Sequence, residues 1–174
     1  TGPQTIDGVK VYFNPGGVQV KGGFGWDGHY YDKDSGALVT NKFVEEYGRT
    51  YYVDENGNKA IGSKEVNGAW YYFEQYGVLI KNNFAPDGRY YDKYGKQVDF
   101  GTNRYFELNG EWYYAGNDGA ILKGPQTIDG VKVYFRQYGA QVKGYFVKDE
   151  GDNKSRYYDK DTGALATNQY VIAY

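Results

Sequence analysis

An aromatic run followed by a turn that closes on glycine recurs eight times along this chain: "VYFNPGG", "YYDKDSG", "YYVDENG", "YYFEQYG", "YYDKYG", "YYAGNDG", "VYFRQYG" and "YYDKDTG". The closing glycines are Gly17, Gly36, Gly57, Gly77, Gly95, Gly119, Gly139 and Gly163, at spacings of 18 to 24 residues. A unit that short cannot bury a hydrophobic face alone, so units of this period must stack on one another. Each one reads as a β-hairpin. Asp7-Gly8, Asn67-Gly68, Asp87-Gly88, Asn109-Gly110 and Asp129-Gly130 mark tight turns ahead of the aromatic strand. A second apolar run, such as Val78-Leu79-Ile80, follows the glycine. The spacing predicts an all-β repeat β-solenoid of about eight stacked β-hairpins over residues 1–174. "NQYVIAY" at the C-terminus is a partial repeat.

Composition fits thin layers rather than a thick aliphatic core. Leu, Ile, Val and Phe number 35 of 174 residues, whereas Tyr contributes 22 and Gly 26. Each buried Tyr brings roughly 150–250 Å² of surface, so rings can replace the missing aliphatic side chains. Twenty basic residues against 22 acidic ones leave no cationic stripe, which argues against nucleic acid and anionic membrane as partners. No apolar stretch approaches a membrane span. Cysteine is absent, which excludes disulfides and thiolate metal sites. Thr1 opens directly into a turn-like segment, and the chain reads as a piece of a longer protein.

Strand parity predicts which columns face inward. Tyr12, Tyr31, Tyr52, Tyr72, Tyr114, Tyr134 and Tyr158 stand five residues before the glycine, with Tyr91 one residue closer. Val20, Val39, Ala60, Ile80, Val98, Leu122, Val142 and Ala166 stand three after it. These two columns are the expected core, and the alternate face is left for function.

On that alternate face, two stretches of the chain differ from the rest. "GPQTIDGVKVYF" occurs at 2–13 and again, letter for letter, at 124–135. Each copy leads to a Gln-x-Lys strand, Gln19-Val20-Lys21 or Gln141-Val142-Lys143, and then to "HYYDKDSGALVTN" or "RYYDKDTGALATN". The pattern is a two-unit cassette written twice. Its expected sugar-binding residues are Gln19, Lys21, Tyr30 and Asp32 in one copy and Gln141, Lys143, Tyr157 and Asp159 in the other. Trp26, in the loop between the first two hairpins, joins the first set. An aromatic ring offers a platform to the apolar face of a pyranose, while amide, ammonium and carboxylate groups bond its hydroxyls. Weak sites repeated along one chain gain avidity toward a polymer.

Sharper chemistries find less support. Gly23–Gly28 spells G-x-G-x-x-G, but a hairpin follows it instead of the long helix a dinucleotide site needs. Asp32-x-Asp34-x-Gly36 and its copy at 159–163 lack the glycine and glutamate positions of a calcium loop, so they read as Asp-capped turns. The one histidine, His29, corresponds to Arg89 and Arg156 in sister units, which argues against a catalytic base. Neither a nucleophile elbow nor a cleft holding two carboxylates is indicated. No cofactor or metal is expected. Trp26, Trp70 and Trp112 fall at positions read as non-equivalent, a poor fit to repeated cages for a choline cation.

The blocks "IDGVKVYF…GGVQVKG" and "YYDKDSGALVTN" resemble the cell-wall/choline-binding-type repeats, and in particular the C-terminal glucan-binding domain of the glucansucrases of lactic acid bacteria. The resemblance covers essentially the whole chain. It implies a secreted, non-catalytic β-solenoid that holds α-glucan in shallow pockets and is attached to a sucrose-using transglucosylase. It also implies that each pocket joins a stacking Tyr to Gln and Lys of a neighbouring strand, which Gln19, Lys21, Gln141 and Lys143 match. The central units depart from that pattern: Leu79 with Lys81 and Ile121 with Lys123 replace it, and Gln97 is paired with Asp99. A monomer at or outside the cell surface is expected. A cell-wall, choline or host-glycan module and a purely structural spacer are the competing readings.

Overall fold

The computed structural model describes residues 1–148 and 152–168. The predicted partial repeat therefore lies outside the described residues apart from Asn168, as do positions 149–151 of the last inter-strand loop. Among the described residues every regular element is a strand, and strands pair in sequence order as eight antiparallel hairpins. They are β1 (Gly2–Ile6) with β2 (Val9–Phe13), β3 (Gly23–Phe24) with β4 (Tyr30–Tyr31), β5 (Lys42–Glu46) with β6 (Arg49–Val53), and β7 (Gly62–Val66) with β8 (Ala69–Phe73). The series continues with β9 (Asn83–Phe84) and β10 (Tyr90–Tyr91), β11 (Arg104–Leu108) and β12 (Glu111–Ala115), β13 (Gly124–Ile128) and β14 (Val131–Phe135), then β15 (Tyr145–Lys148) and β16 (Ser155–Tyr158). The chain divides into two compact units, Thr1–Ala85 with Tyr90–Val98, and Pro86–Arg89 with Asp99–Tyr174.

Turn chemistry sets the register. Asp7 and Gly8 have φ of 49° and 80°, and Asn67–Gly68, Asn109–Gly110 and Asp129–Gly130 repeat that pair of left-handed residues. Two consecutive positive φ values make the two-residue turn whose twist matches the strands. Tyr47–Gly48 makes the same turn with a Tyr at φ 49°, a substitution the sequence did not advertise. Asp87–Gly88 is not such a turn, since only Gly88 is left-handed and β9–β10 closes over residues 85–89.

A lone two-stranded hairpin is marginal in water. The stacking that rescues it is visible in the main chain. The segment after each closing glycine bridges the end of its own aromatic strand: Phe13 with Gln19, Tyr31 with Leu38, Phe73 with Leu79, Phe135 with Gln141, Tyr158 with Leu165. The same segment also donates to the preceding hairpin. Leu38 N reaches Lys10 O at 2.8 Å and Gln97 N reaches Trp70 O at 2.9 Å in the first unit. In the second unit Gln141 N reaches Trp112 O at 2.7 Å and Leu165 N reaches Lys132 O at 2.8 Å. These hairpins are thus tied to a neighbour within each unit by main-chain bonds that do not depend on side-chain identity.

The single-faced core predicted from parity is corrected by this arrangement. Tyr12, Tyr31, Tyr52, Tyr91 and Tyr158 are buried, but Tyr72, Tyr114 and Tyr134 are only half-buried. In the alternate column Val53, Phe73, Ala115 and Phe135 are 0% exposed. Aromatic strands are enclosed from both sides, by the returning segment and by the adjoining hairpin, so both columns are core. The apolar positions after the glycine follow a similar split: Ala60, Ile80 and Val142 are buried, while Val20, Val39, Val98, Leu122 and Ala166 are half-buried. In the first unit the core is a series of small clusters. Phe73 packs with Tyr52, Tyr71 and Leu79; Val53 packs with Val44 and Tyr51; Tyr91 packs with Ile80 and Ala85. Thin layers rich in rings are what a chain short of Leu and Ile can build.

Candidate functional site

The predicted cassette residues are brought together in part. Gln19 Nε2 donates to Ser35 O at 3.4 Å and Lys21 Nζ to Asp34 O at 3.0 Å. In the second copy Gln141 Nε2 donates to Thr162 O at 3.2 Å and Lys143 Nζ to Asp161 O at 3.1 Å. Gln-x-Lys therefore straps the Asp-capped turn of the following unit. A Cβ at Gly36 or Gly163 would overlap the Gln amide, and both glycines are left-handed, so the strap and the turn glycine require each other.

Within that turn Asp32 Oδ1 accepts from Asp34 N, Ser35 N and Ser35 Oγ, and Asp159 Oδ1 accepts from Asp161 N, Thr162 N and Thr162 Oγ1. The main-chain N–H of Ser35 or Thr162 is the leading cause that holds each carboxyl below the usual carboxylate range. Both Asp residues are turn caps first. Tyr30 is half-buried against Val44, Tyr51 and Val53, meets Phe24 edge-on at 5.1 Å, and donates its hydroxyl to Glu45 O at 3.1 Å. Burial, followed by the charge of Glu46, raises its pKa. Tyr157 packs on Phe146 at 5.1 Å. Both rings are half-buried and packed on a neighbouring ring rather than fully open. Trp26 stays 81% exposed.

A concavity lies elsewhere in each cassette, and the duplicated twelve residues form its wall. The first cleft, of about 420 Å³, is lined by Pro3, Gln4, Thr5 and Lys10 of β1–β2, by Asp27, His29, Tyr31 and Leu38 of the second hairpin, and by Asn56. The second, of about 370 Å³, is lined by Pro125, Gln126, Thr127, Lys132 and Val133 of β13–β14, with Arg156, Tyr158 and Leu165. Pro3, Gln4, Thr5, Lys10, Tyr31 and Leu38 correspond one for one to Pro125, Gln126, Thr127, Lys132, Tyr158 and Leu165. Each cleft lies wholly within one compact unit.

Every part of the wall has a local cause. Thr5 pairs with Lys10 and Thr127 with Lys132 across the hairpin, which sets a hydroxyl beside an ammonium. Gln4 Nε2 is fixed by Thr1 O at 3.3 Å and Gln126 Nε2 by Lys123 O at 2.8 Å, leaving the amide oxygens as acceptors. Pro3 and Leu38 supply apolar surface. Tyr31, 2% exposed, is a floor; its hydroxyl donates to Asp27 Oδ2 at 2.6 Å. Burial and that bond push its pKa up. Each cleft joins a small apolar patch to convergent donors and acceptors, which suits a polyhydroxylated ligand. Lys10 is offset by Asp27 in the first lining, whereas Lys132 and Arg156 make the second lining cationic. Among the described residues no three His, Cys, Asp or Glu side chains are placed to hold a metal ion.

The sequence pattern marks the duplicated block as the frame of a site and puts the candidate residues on the strands beside it. The two clefts are lined by other polar residues, Gln4, Lys10, Gln126 and Lys132, which lie in the block itself. Trp70 and Trp112, read as non-equivalent, prove equivalent: each faces a glutamate across its hairpin, Glu65 or Glu107.

Residues 1–43 and 122–170 match the family described as Choline-binding repeat, and 64–79 and 103–121 match the Putative cell wall binding repeat. The first family's two segments contain the lining of the two clefts, Asn56 excepted. The chain is 38% identical to Glucosyltransferase-S of Streptococcus mutans, across 97% of this chain and 12% of that protein. It is 41% identical to Glucosyltransferase-I of Streptococcus downei, across 98% of this chain and 10% of that protein. This chain thus spans about a tenth of the length of the curated relatives it matches. The solved structure of the modular autolysin LytC from Streptococcus pneumoniae matches at TM-score 0.57 and 18% identity, over 98% of this chain and 38% of that one. That likeness concerns the fold alone.

Proposed function

The chain belongs to the family of choline-binding repeats, and from that premise we propose that it binds α-glucan, such as dextran and isomaltooligosaccharides, in two equivalent clefts. The module is a non-catalytic carbohydrate-binding one. One observation carries the finer reading: the two identical twelve-residue segments are the walls of two matching clefts. A glucose ring resting on Pro3 and Leu38 would offer hydroxyls to Gln4 Oε1, Thr5 and Lys10. Pro125, Leu165, Gln126, Thr127 and Lys132 would do the same in the second cleft. In this reading Gln19 and Lys21, with their copies Gln141 and Lys143, hold the following turn, Asp32 and Asp159 cap it from within, and Tyr30 and Tyr157 pack on neighbouring rings.

The curated relatives are glucosyltransferases by name, which favours a ligand built of glucosyl units and a module that keeps polymer near an attached transglucosylase outside the cell. A choline cage is the second reading, and the exposed Trp70 and Trp112 favour it. At Trp112, however, the Lys143 ammonium already stands 5.2 Å from the ring centre, which leaves less room for another cation. The module is proposed to act as a monomer. Affinity electrophoresis in dextran-loaded gels, beside a titration with choline, tests the reading. Retardation by dextran and no heat with choline are expected; the reverse pattern would replace glucan by choline. Short oligosaccharides should bind near the millimolar level, at about −4 kcal/mol, and long dextran more tightly by avidity.

A further inference from the structure

Although the walls are duplicated, the mouths of the clefts are not. His29 stands in the first where Arg156 stands in the second. We infer that this position makes the two clefts different sites: glucan binding in the first depends on the protonation of His29, while binding in the second does not vary across the same pH range. The inference rests on the glucan reading above and adds a specificity-determining residue to it.

His29 is wired into its cleft through one carboxylate. Asp27 Oδ1 accepts from His29 N at 3.2 Å, and Asp27 Oδ2 accepts from the Tyr31 hydroxyl at 2.6 Å. The same Oδ2 lies 3.3 Å from His29 Nδ1, with the two side chains 18% and 29% exposed. A carboxylate at Nδ1 selects the Nδ1–H tautomer, so neutral His29 presents Nε2 as an acceptor. Protonation turns Nε2 into a charged donor without disturbing the Asp27 contact, which then becomes an ion pair. Sugar hydroxyls bond either form, but a charged N–H gives the stronger bond.

The groups that face His29 from other elements are few. Lys10 of β2 shares the cleft as a fixed cation, and a neutral ligand tolerates both charges. From the 54–57 turn come Asn56, which is neutral, and Gly57, where a Cβ would stand 3.0 Å from His29 Cδ2. Asp54 of that turn accepts from its own Asn56 N and Asn58 N, and Glu55 at its tip is exposed. In the second cleft the Arg156 guanidinium is bonded to both oxygens of Asp152. Arginine keeps its charge at every pH of interest.

The sign follows from linkage. A ligand that prefers protonated His29 binds more tightly when the imidazole carries its second proton and more weakly once that proton is lost. The test is calorimetric titration with isomaltotriose at pH 5 and pH 8, with Gln126→Ala silencing the second cleft. The first cleft should weaken roughly fivefold toward pH 8, the difference between a charged and a neutral hydrogen bond. His29→Arg should abolish that dependence, and folding is protected because Arg occupies the same place at 89 and 156. Arg156→His, with Gln4→Ala silencing the first cleft, should confer it on the second. Intact binding without pH dependence in the first cleft, or dependence surviving in His29→Arg, would overturn the inference and leave the glucan reading standing. Absence of oligosaccharide binding to wild type at either pH would overturn both.

Discussion

The duplicated hairpins β1–β2 and β13–β14 and the central hairpins β7–β8 and β11–β12 share one register and present different chemistry. Thr5 faces Lys10 and Thr127 faces Lys132 in the first pair; Glu65 faces Trp70 and Glu107 faces Trp112 in the second. All four of Lys10, Lys132, Trp70 and Trp112 give their main-chain carbonyl to the following unit. The framework uses the backbone at this position and leaves the side chain to vary. The side chain is therefore free to differ where stacking makes no demand on it, and the two clefts described above are walled by the hairpins in which Lys and Thr stand in place of Trp and Glu.

If that division is right, the largest stability losses belong to positions shared by both kinds of hairpin. Phe73→Ala, in a fully buried ring position, should cost about 3–5 kcal/mol. Half-buried Tyr72→Ala should cost clearly less. Urea denaturation followed by aromatic fluorescence measures both, and equal losses would restore the single-faced core that parity predicts. The comparison can next be inverted by writing a central residue into a duplicated hairpin. Lys10→Trp with Lys132→Trp should leave stability within about 0.5 kcal/mol while oligosaccharide affinity falls at least about tenfold, or about 1.4 kcal/mol. Retained affinity would detach the clefts from binding.

Smaller effects probe the straps. Gln19→Ala removes one exposed hydrogen bond to Ser35 O and should cost at most about 1 kcal/mol. The smallest effect is acid sensitivity. Asp32 and Asp159 are held below the usual range by turn N–H groups, and Asp152 is lowered to about 2 by the Arg156 bond. Groups depressed in the folded state stabilise it above the ordinary carboxylate pKa, and that contribution disappears as pH falls through the depressed values. A modest drop in Tm between about pH 4 and pH 2 is expected, flattened by Asp32→Asn with Asp159→Asn.

The hairpins were legible because each carries its own local signals: the Asp-Gly and Asn-Gly turns, the aromatic runs and the closing glycines. The clefts were less so, for a physical reason. Parity assumes a strand with one buried face, and here Phe73 and Tyr52 belong to one cluster although they occupy opposite columns. Tyr31 and Tyr158 are core and cleft floor at once, a double role that sorting into inside and outside cannot express. Gln19 and Gln141 read as ligand groups in the sequence because a side chain strapping a neighbour's main chain and one awaiting a sugar share the same amide, and the structure shows the strap. The carbonyls of Ser35 and Thr162, which claim them, carry no mark in the sequence.

Those two glutamine pairs also provide the most direct test. Gln4→Ala/Gln126→Ala and Gln19→Ala/Gln141→Ala should be compared with wild type in dextran-loaded gels, with circular dichroism verifying that each remains folded. The clefts account predicts that the first double variant loses most of its retardation while the second keeps it. Loss in the Gln19/Gln141 variant with full retention in the Gln4/Gln126 variant would contradict it and move the glucan sites onto the Gln-x-Lys strands.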